Sequence, residues 1–282
     1  PHCPSREGTM MAMLLLTSPG GAPGLTTTAL GLALSWPRDV ILVDADPCPG
    51  RAIESGFLAG RIPPRAGLIG LAAACRDGAD PVQAMWEEII PLPHDDDNKL
   101  VGLISGYGHL GQASLMGAAW SGLVSAMIDL GQAGVDVIVD GGRLGPEALP
   151  ESLISRSSLI GIVTGSRLRQ LAGLSMRSKE VEAISSTTTG TVGLVVVGPG
   201  HPYGSREIGR QFGLPVLGEV TRDVQAAAVL SDGDPAGKRW ARGRYVTGLR
   251  TLANAMELKL RRSTETINGP RAATSLAVGV AP

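Results

Sequence analysis

Seven short apolar runs, each of strand length and most of them β-branched, decide what this chain can fold into. They are Met13–Leu16, Val40–Val43, Leu100–Ile104, Val135–Val139, Leu159–Val163, Val192–Val197 and Val216–Val220. Most lack an apolar/polar alternation, which marks strands covered on both faces. Segments long enough for helices lie between them: Thr26–Ser35, Gly67–Arg76, Gly117–Gly131, Arg167–Ser185 and Ser205–Phe212. Strand alternating with helix predicts a three-layer, doubly wound, mostly parallel α/β sheet in a single domain. The crossovers should be right-handed. After the last strand come Asp223–Leu230, a Gly/Asp/Pro turn at Ser231–Gly237, and a final helix at about Arg239–Arg262. Arg61–Pro64 and Pro91–Asn98 read as surface loops.

The chain's 282 residues allow one large domain or two small ones, and no internal repeat or second domain is visible. Aromatic residues make up 3% of the chain, so the core must rest on Val, Ile, Leu and Ala. The formal net charge of −1 encodes no global attraction to nucleic acid or to an anionic membrane. No apolar run approaches membrane-spanning length. Cys3, Cys48 and Cys75 have no metal-like spacing, and their odd number argues against a disulfide framework. A reducing cytoplasm is the simplest compartment. Pro1–Thr9 read as a vector remnant ahead of Met10 or Met11. The expected folded unit is therefore 10–262, with Ser263–Pro282 a disordered tail.

Ligands of open α/β sheets bind at the carboxyl ends of the strands, and three such ends carry suggestive residues. After Met13–Leu16, a glycine turn (Gly20, Gly21, Gly24) leads into three threonines that open an Ala/Leu-rich helix. Strand, glycine turn and helix N-terminus is the order of a phosphate-binding loop, G-x-x-x-x-G-K-[ST]. Glycines let the backbone approach an anion, and N–H groups of the helix start add to the helix dipole. Thr26 stands where a metal-coordinating hydroxyl would be. The same residues also suit a tight strand–helix turn with a threonine cap. Pro19 replaces the first glycine and Leu25 replaces the lysine. The second end is Val43-Asp44-Ala45-Asp46-Pro47, whose two carboxylates leave the strand on one side. They could orient a water or hold Mg2+ through its shell; alone, they read equally as solvated turn acids. The third is Asp140-Gly141-Gly142-Arg143, an acid closing an apolar strand.

Together these residues resemble the MinD/ParA family of P-loop ATPases, whose loop reads K-G-G-x-G-K-[ST]-[ST]. Gly20-Gly21-Ala22-Pro23-Gly24-Leu25-Thr26-Thr27 lie over that loop. Val43–Pro47 is similar to the family's D-x-D-P, and Asp140–Gly142 to its D-T-P-P-G end. Gly193–Val197 and Gly213–Asp223 follow its late strands. The resemblance spans roughly Met11 to Gly233 and implies the P-loop NTPase-like fold. It implies ATP or ADP with Mg2+ as ligand, protein partners and a homodimer. It places Gly20, Gly21, Gly24, Leu25, Thr26, Thr27 and Arg222 around the nucleotide. It places Thr26, Asp46 and Asp140 at the metal, and Asp44 in the catalytic position.

The departures carry as much weight. The family's signature lysine falls on Gly20 and its loop lysine on Leu25, and no lysine occurs before Lys99. A lysine near a phosphate charge contributes about 4 kcal/mol at an intermediate dielectric. Helix-terminus polarity supplies about 0.3–1 and seldom more than about 2 kcal/mol. The remaining cradle does not offset two missing lysines. The resemblance, so corrected, implies weak nucleotide binding or its loss and little hydrolysis. Degenerate relatives such as the TadZ/CpaE-type localisation proteins act as platforms for secretion or pilus machines. Two alternatives stay open on the sequence. One is a working ATPase in which Arg143, Arg167, Arg169 or Arg222 replaces the lysines. The other is an NAD(P)-dependent oxidoreductase, because Pro19-x-Gly21-x-x-Gly24 with Asp44 about 20 residues on is close to a dinucleotide fingerprint.

Other signals are weaker. His94-Asp95-Asp96-Asp97 has the composition of a solvated loop as much as of a cation site. Tyr107-Gly108-His109, His201 and Tyr203 follow strands and could line a ligand or an interface. The last helix carries Leu249, Leu252, Ala253 and Met256 at helical spacing, as a core-packing helix does. Neither it nor the basic stretch Arg239–Arg244 indicates membrane or DNA contact at this net charge.

Overall fold

The computed structural model describes residues 13–20, 24–48, 50–63, 65–96, 98–145 and 149–268, with side chains described as far as 262. The strands are β1 (Met13–Ser18), β2 (Val40–Asp44), β3 (Ile90–Pro91), β4 (Val101–Ile104), β5 (Asp136–Arg143), β6 (Leu159–Gly165), β7 (Thr191–Val197) and β8 (Val216–Val220). They form one eight-stranded sheet in the order β3-β4-β2-β5-β1-β6-β7-β8. All neighbours are parallel except the edge pair β3–β4. Every residue of β1, β4 and β6 is buried, as runs without alternation require.

Helices cover both faces. One is covered by α1 (Leu25–Ser35), α9 (Val224–Ser231) and α10 (Arg244–Asn268). Leu30, Leu32, Leu230, Leu249 and Met256 pack there on Leu14, Leu16 and Leu42. The other is covered by α2 (Gly67–Arg76), α3 (Pro81–Glu88), α4 (Ala119–Gln132), α5 (Glu151–Arg156), α6 (Leu168–Met176), α7 (Ser178–Thr187) and α8 (Ser205–Phe212). Leu68, Met85, Leu123, Met127, Ile184 and Ile208 pack there on Leu15, Val43 and Val139.

The elements differ from expectation where local chemistry or tertiary packing decides. The strand β3 has two residues and ends on a proline, too short for a periodic signal. The stretch read as one helix over Arg167–Ser185 is two, because Arg177 leaves helical geometry (φ −107°, ψ 18°). The Asp80 carboxylate caps α3 by accepting from the Gln83 N–H at 2.8 Å, with Pro81 fixing the first turn. A short 3-10 turn, Trp240–Arg242, precedes α10, which runs to Asn268 and takes in the first residues of the expected tail. Pro1–Thr9 and residues 269–282 lie outside the described residues. Among the described residues no helix is long and apolar enough to cross a membrane.

A polar cluster fastens the amino-terminal edge of the sheet. The Trp36 indole N–H donates to Asp136 Oδ2 at 2.7 Å, and Arg38 Nη2 pairs with the same carboxylate. Arg38 Nε also reaches Glu257 of α10 at 3.0 Å. Burial raises Asp136 to about 6 despite these partners. This acid starts β5, four residues before Asp140, and ties that strand to Trp36 and Arg38.

Candidate functional site

The three strand ends singled out in the sequence meet in space. In register, Asp140 of β5 lies beside Asp44 of β2 on one side and Leu16 of β1 on the other. The sheet order brings this about, since β5 is inserted between β1 and β2. The Ala45 N–H donates to the Asp140 carbonyl at 2.8 Å, which extends the contact past the strands. Thr17 Oγ1 donates to the Gly142 carbonyl at 2.8 Å and holds the β1 end to the β5 end.

The loop after β1 delivers a helix start to the same rim. Gly24 sits in the left-handed region (φ 85°) and precedes α1 with no side-chain cap. The first intrahelical bond there is Thr28 N–H to Gly24 carbonyl, 2.9 Å. The N–H groups of Leu25, Thr26 and Thr27 therefore precede the helical ladder, at the positive end of the dipole. Among the described residues, a Cβ built on Gly20 or Gly24 would meet nothing within 4 Å. Gly21, with Ala22 and Pro23, lies outside the described residues.

The Leu25 side chain is buried in the core rather than presented at the rim. It is 7% exposed and belongs to the apolar layer under α1, α9 and α10. Only its main chain remains available to an anion. The position read as a lost grip on the phosphates has become part of the core.

The acids form a buried, crowded group. The Asp44 carboxyl is raised above the ordinary range, first by burial and then by the charge of Asp140. Asp140 is fully buried and raised as well, mainly by burial; the Thr26 hydroxyl and the Gly142 N–H oppose the rise. Its Oδ1 accepts from Gly142 N–H at 3.0 Å. Its Oδ2 is buried and without a donor at hydrogen-bond distance and angle among the described residues, while the Thr26 hydroxyl lies close enough to the carboxylate to favour its charged form. Asp46 is raised by burial, while Arg143 holds it back. A Cβ on Gly142 (φ 68°) would come within 2.3 Å of Asp46 Oδ1, so only glycine lets this carboxylate lie against the β5 end. Glu54 adds a further negative field at Asp44 and is itself paired with Arg51 at 2.5 Å. The sequence reading missed Glu54; it follows a strand by ten residues, with no motif to mark it.

A buried carboxylate oxygen without a donor favours a cation. The Asp140 carboxylate, with the Thr26 hydroxyl near it, fits a hard divalent ion that keeps most of its waters and shares phosphate ligands. Among the described residues no three His, Cys, Asp or Glu group so as to hold a metal alone. His94 is no exception, because its two ring nitrogens face the carbonyls of Leu92 and Lys99 at 2.9 and 2.7 Å; Asp97 beside it lies outside the described residues.

The arginines divide. Arg143 acts on the acid group. Arg167 caps α6, with its N–H bonded to the Gln170 side chain. Arg222 follows β8, three strands along the rim from β1 or roughly 14 Å at about 4.8 Å per strand.

No protein-family profile and no curated protein sequence matches the chain. Solved structures do. A ParA family ATPase from Chlorobium tepidum superposes with a TM-score of 0.66 at 16% identity, covering 88% of this chain and 99% of that one. The septum site-determining protein MinD of Pyrococcus horikoshii, complexed with Mg-ADP, gives 0.65 at 14%, covering 88% and 96%. The MinC:MinD complex of Aquifex aeolicus gives 0.62 at 15%, covering 87% and 95%. The chain has the fold of the MinD and ParA ATPases. Its strand order also separates it from the doubly wound dinucleotide fold. There, the strand bearing the ribose-binding acid adjoins the glycine-loop strand; here β5 lies between β2 and β1.

Proposed function

We propose that this chain is a MinD/ParA-type protein whose nucleotide site has decayed, and that it works through protein contacts as a localisation or scaffold factor. The observation that carries this reading is Leu25, buried in the core where the loop lysine would stand. The helix start, Thr26 and the Asp44/Asp140 pair persist around it and support a common origin with the nucleotide-binding relatives. Gly20, Gly24, Thr26 and Thr27 would contact the phosphates by main chain and hydroxyl. Mg2+ would sit at Thr26 and Asp140, with Asp46 acting through its water shell, and Asp44 would take the catalytic position. Without a lysine this set holds nucleotide weakly and turns it over little or not at all. The relative solved with MinC supports action through a protein partner, and a homodimer is the assembly we assign.

A second reading keeps catalysis, with Arg143 replacing the lysine; its influence on Asp46 favours it over the other arginines. Calorimetric titration with ATP and Mg2+ separates the two. The decayed site gives no heat, or affinity near the millimolar range. Micromolar affinity with sustained phosphate release overturns it in favour of the second reading.

A further inference from the structure

A hollow of about 540 Å³ lies on the side of the sheet covered by α1, α9 and α10, and the loop between β3 and β4 forms one of its walls. Leu34 of α1, Val229 of α9 and two of the chain's few aromatic residues, Phe57 and Trp240, line it. These four side chains are half-buried, which leaves apolar surface in a concavity with no element of the chain over it. The Trp240 indole N–H donates to the Ala226 carbonyl at 2.9 Å, which pins the ring. A Cβ on Gly31 would come within 2.6 Å of Leu249 Cδ1, so α10 lies close on α1 and the two helices back the hollow together. Pockets of this size and apolar character hold small organic molecules, oriented by a few polar groups.

Two cations supply those polar groups, Lys99 on the β3–β4 loop and Arg250 on α10. Among the described residues neither forms an ion pair. Lys99 donates to the Trp36 carbonyl at 2.8 Å, and Arg250 to the Ala241 carbonyl at 3.1 Å; each keeps further N–H donors. Burial, with the charge of Arg250, holds the half-buried Lys99 ammonium below the ordinary lysine range, against the pull of Asp96 and Asp39. His94 spans the carbonyls of Leu92 and Lys99 and so fixes the loop that carries this lysine. The acids of the same loop, Asp95 and Asp96, are exposed, so negative charge stands at the mouth while Lys99 is set deeper. A ligand with several negative charges would be repelled by those two carboxylates. A single carboxylate on an apolar body meets the free donors of Lys99 and Arg250 and covers the apolar wall.

We infer that this hollow binds a small amphiphilic carboxylate, with its head on Lys99 and Arg250 and its apolar body against Leu34, Phe57 and Trp240. The site is apart from the Gly20–Thr26 loop. Leu34 lies in the last turn of α1, roughly 14 Å from the helix start at about 1.5 Å per residue. Neither the strand-end acids nor Mg2+ takes part.

The test is calorimetric titration of the full chain, without nucleotide or magnesium, at a pH where the acids are ionised. The probes are decanoate, below its micelle threshold, and naphthalene-2-carboxylate, with decanol as the headless control. Saturable binding of a carboxylate is expected, and the stronger of the two probes tells a flexible chain from an aromatic body. Lys99→Met and Arg250→Met keep much of the aliphatic stem and remove the charge. Each should weaken the carboxylate roughly tenfold and leave decanol unchanged, which a collapsed hollow would not do. Tryptophan emission should respond to the ligand in the parent and stop responding in Trp240→Phe. Absence of saturable binding of both carboxylates to the parent overturns the proposal. Decanol bound as tightly as decanoate, with no effect of either charge removal, would make the hollow an unselective apolar cleft and also overturns it. So does carboxylate binding that survives unchanged in the double variant, which would place the ligand elsewhere.

Discussion

Replacing Leu25 with lysine separates the two things this position does. Leu25 is 7% exposed and packs in the layer beneath α1, α9 and α10. Burying a leucine contributes about 1.5–3 kcal/mol, and truncating one in a packed core costs about 2–5 kcal/mol. A lysine keeps part of that contact through its aliphatic stem while its ammonium runs to water. Leu25→Lys should therefore cost about 2 kcal/mol. For a domain of this size that lowers Tm by roughly 4–8 °C. The new ammonium can reach the rim where the N–H groups of α1 converge. A charge pair there gains about 4 kcal/mol at an effective dielectric near 20. That is a ceiling of roughly 1000-fold in affinity, from which desolvation and ordering subtract. A gain of at least about tenfold for ATP-Mg2+ is expected, together with the loss of stability. Urea unfolding reads the first quantity and calorimetry the second. Unchanged stability would mean that Leu25 is not packed as described. Lost stability without gained affinity would mean that the missing cation is not what weakens the site.

Other outcomes follow from the buried acids. Asp44 and Asp140 are both raised above their unfolded values, so the folded state holds protons that the unfolded chain has released. Stability from these groups is full below about pH 4 and is lost as pH rises through their folded range. Asp140→Asn should therefore be more stable than the parent at about pH 8 and lose that advantage at about pH 4; an advantage independent of pH would contradict the assignment. Arg38→Ala leaves the Asp136 carboxylate buried with Trp36 as its remaining named partner, and should cost about 3 kcal/mol at pH 8. Because Asp136 sits at about 6, that cost should shrink below pH 6, where the carboxyl accepts a proton; denaturant melts at the two pH values check it. Gly142→Ala forces a Cβ into the left-handed region and against Asp46 Oδ1, and should destabilise by roughly 1–3 kcal/mol. A thermal melt equal to the parent's would show that the β5 end tolerates the displacement.

The sequence showed what periodicity and motif order can show. Runs buried on both faces identified seven of the strands, and their alternation with helices identified the architecture. The two-residue β3 carries no period, and the break at Arg177 depends on how α6 and α7 seat on separate strands. The site was legible as three strand ends. Their adjacency followed only from the family resemblance, because it rests on β5 threading between β1 and β2, which no local pattern records. The direction of Leu25 was likewise hidden. A motif aligns positions, and an apolar side chain at the first residue of α1 goes where apolar neighbours are, into the core. Alignment places Arg222 with the nucleotide, and the structure sets it at the carboxyl end of β8 with Arg242 and Arg244 nearby. Those two had no motif of their own.

The most direct test of the decayed site is a single-turnover reaction, with the chain in large excess over labelled ATP and Mg2+. Phosphate release is expected at the background rate, the same for the parent and for Asp140→Asn. Release well above background that disappears in Asp140→Asn would contradict the account and show a working ATPase.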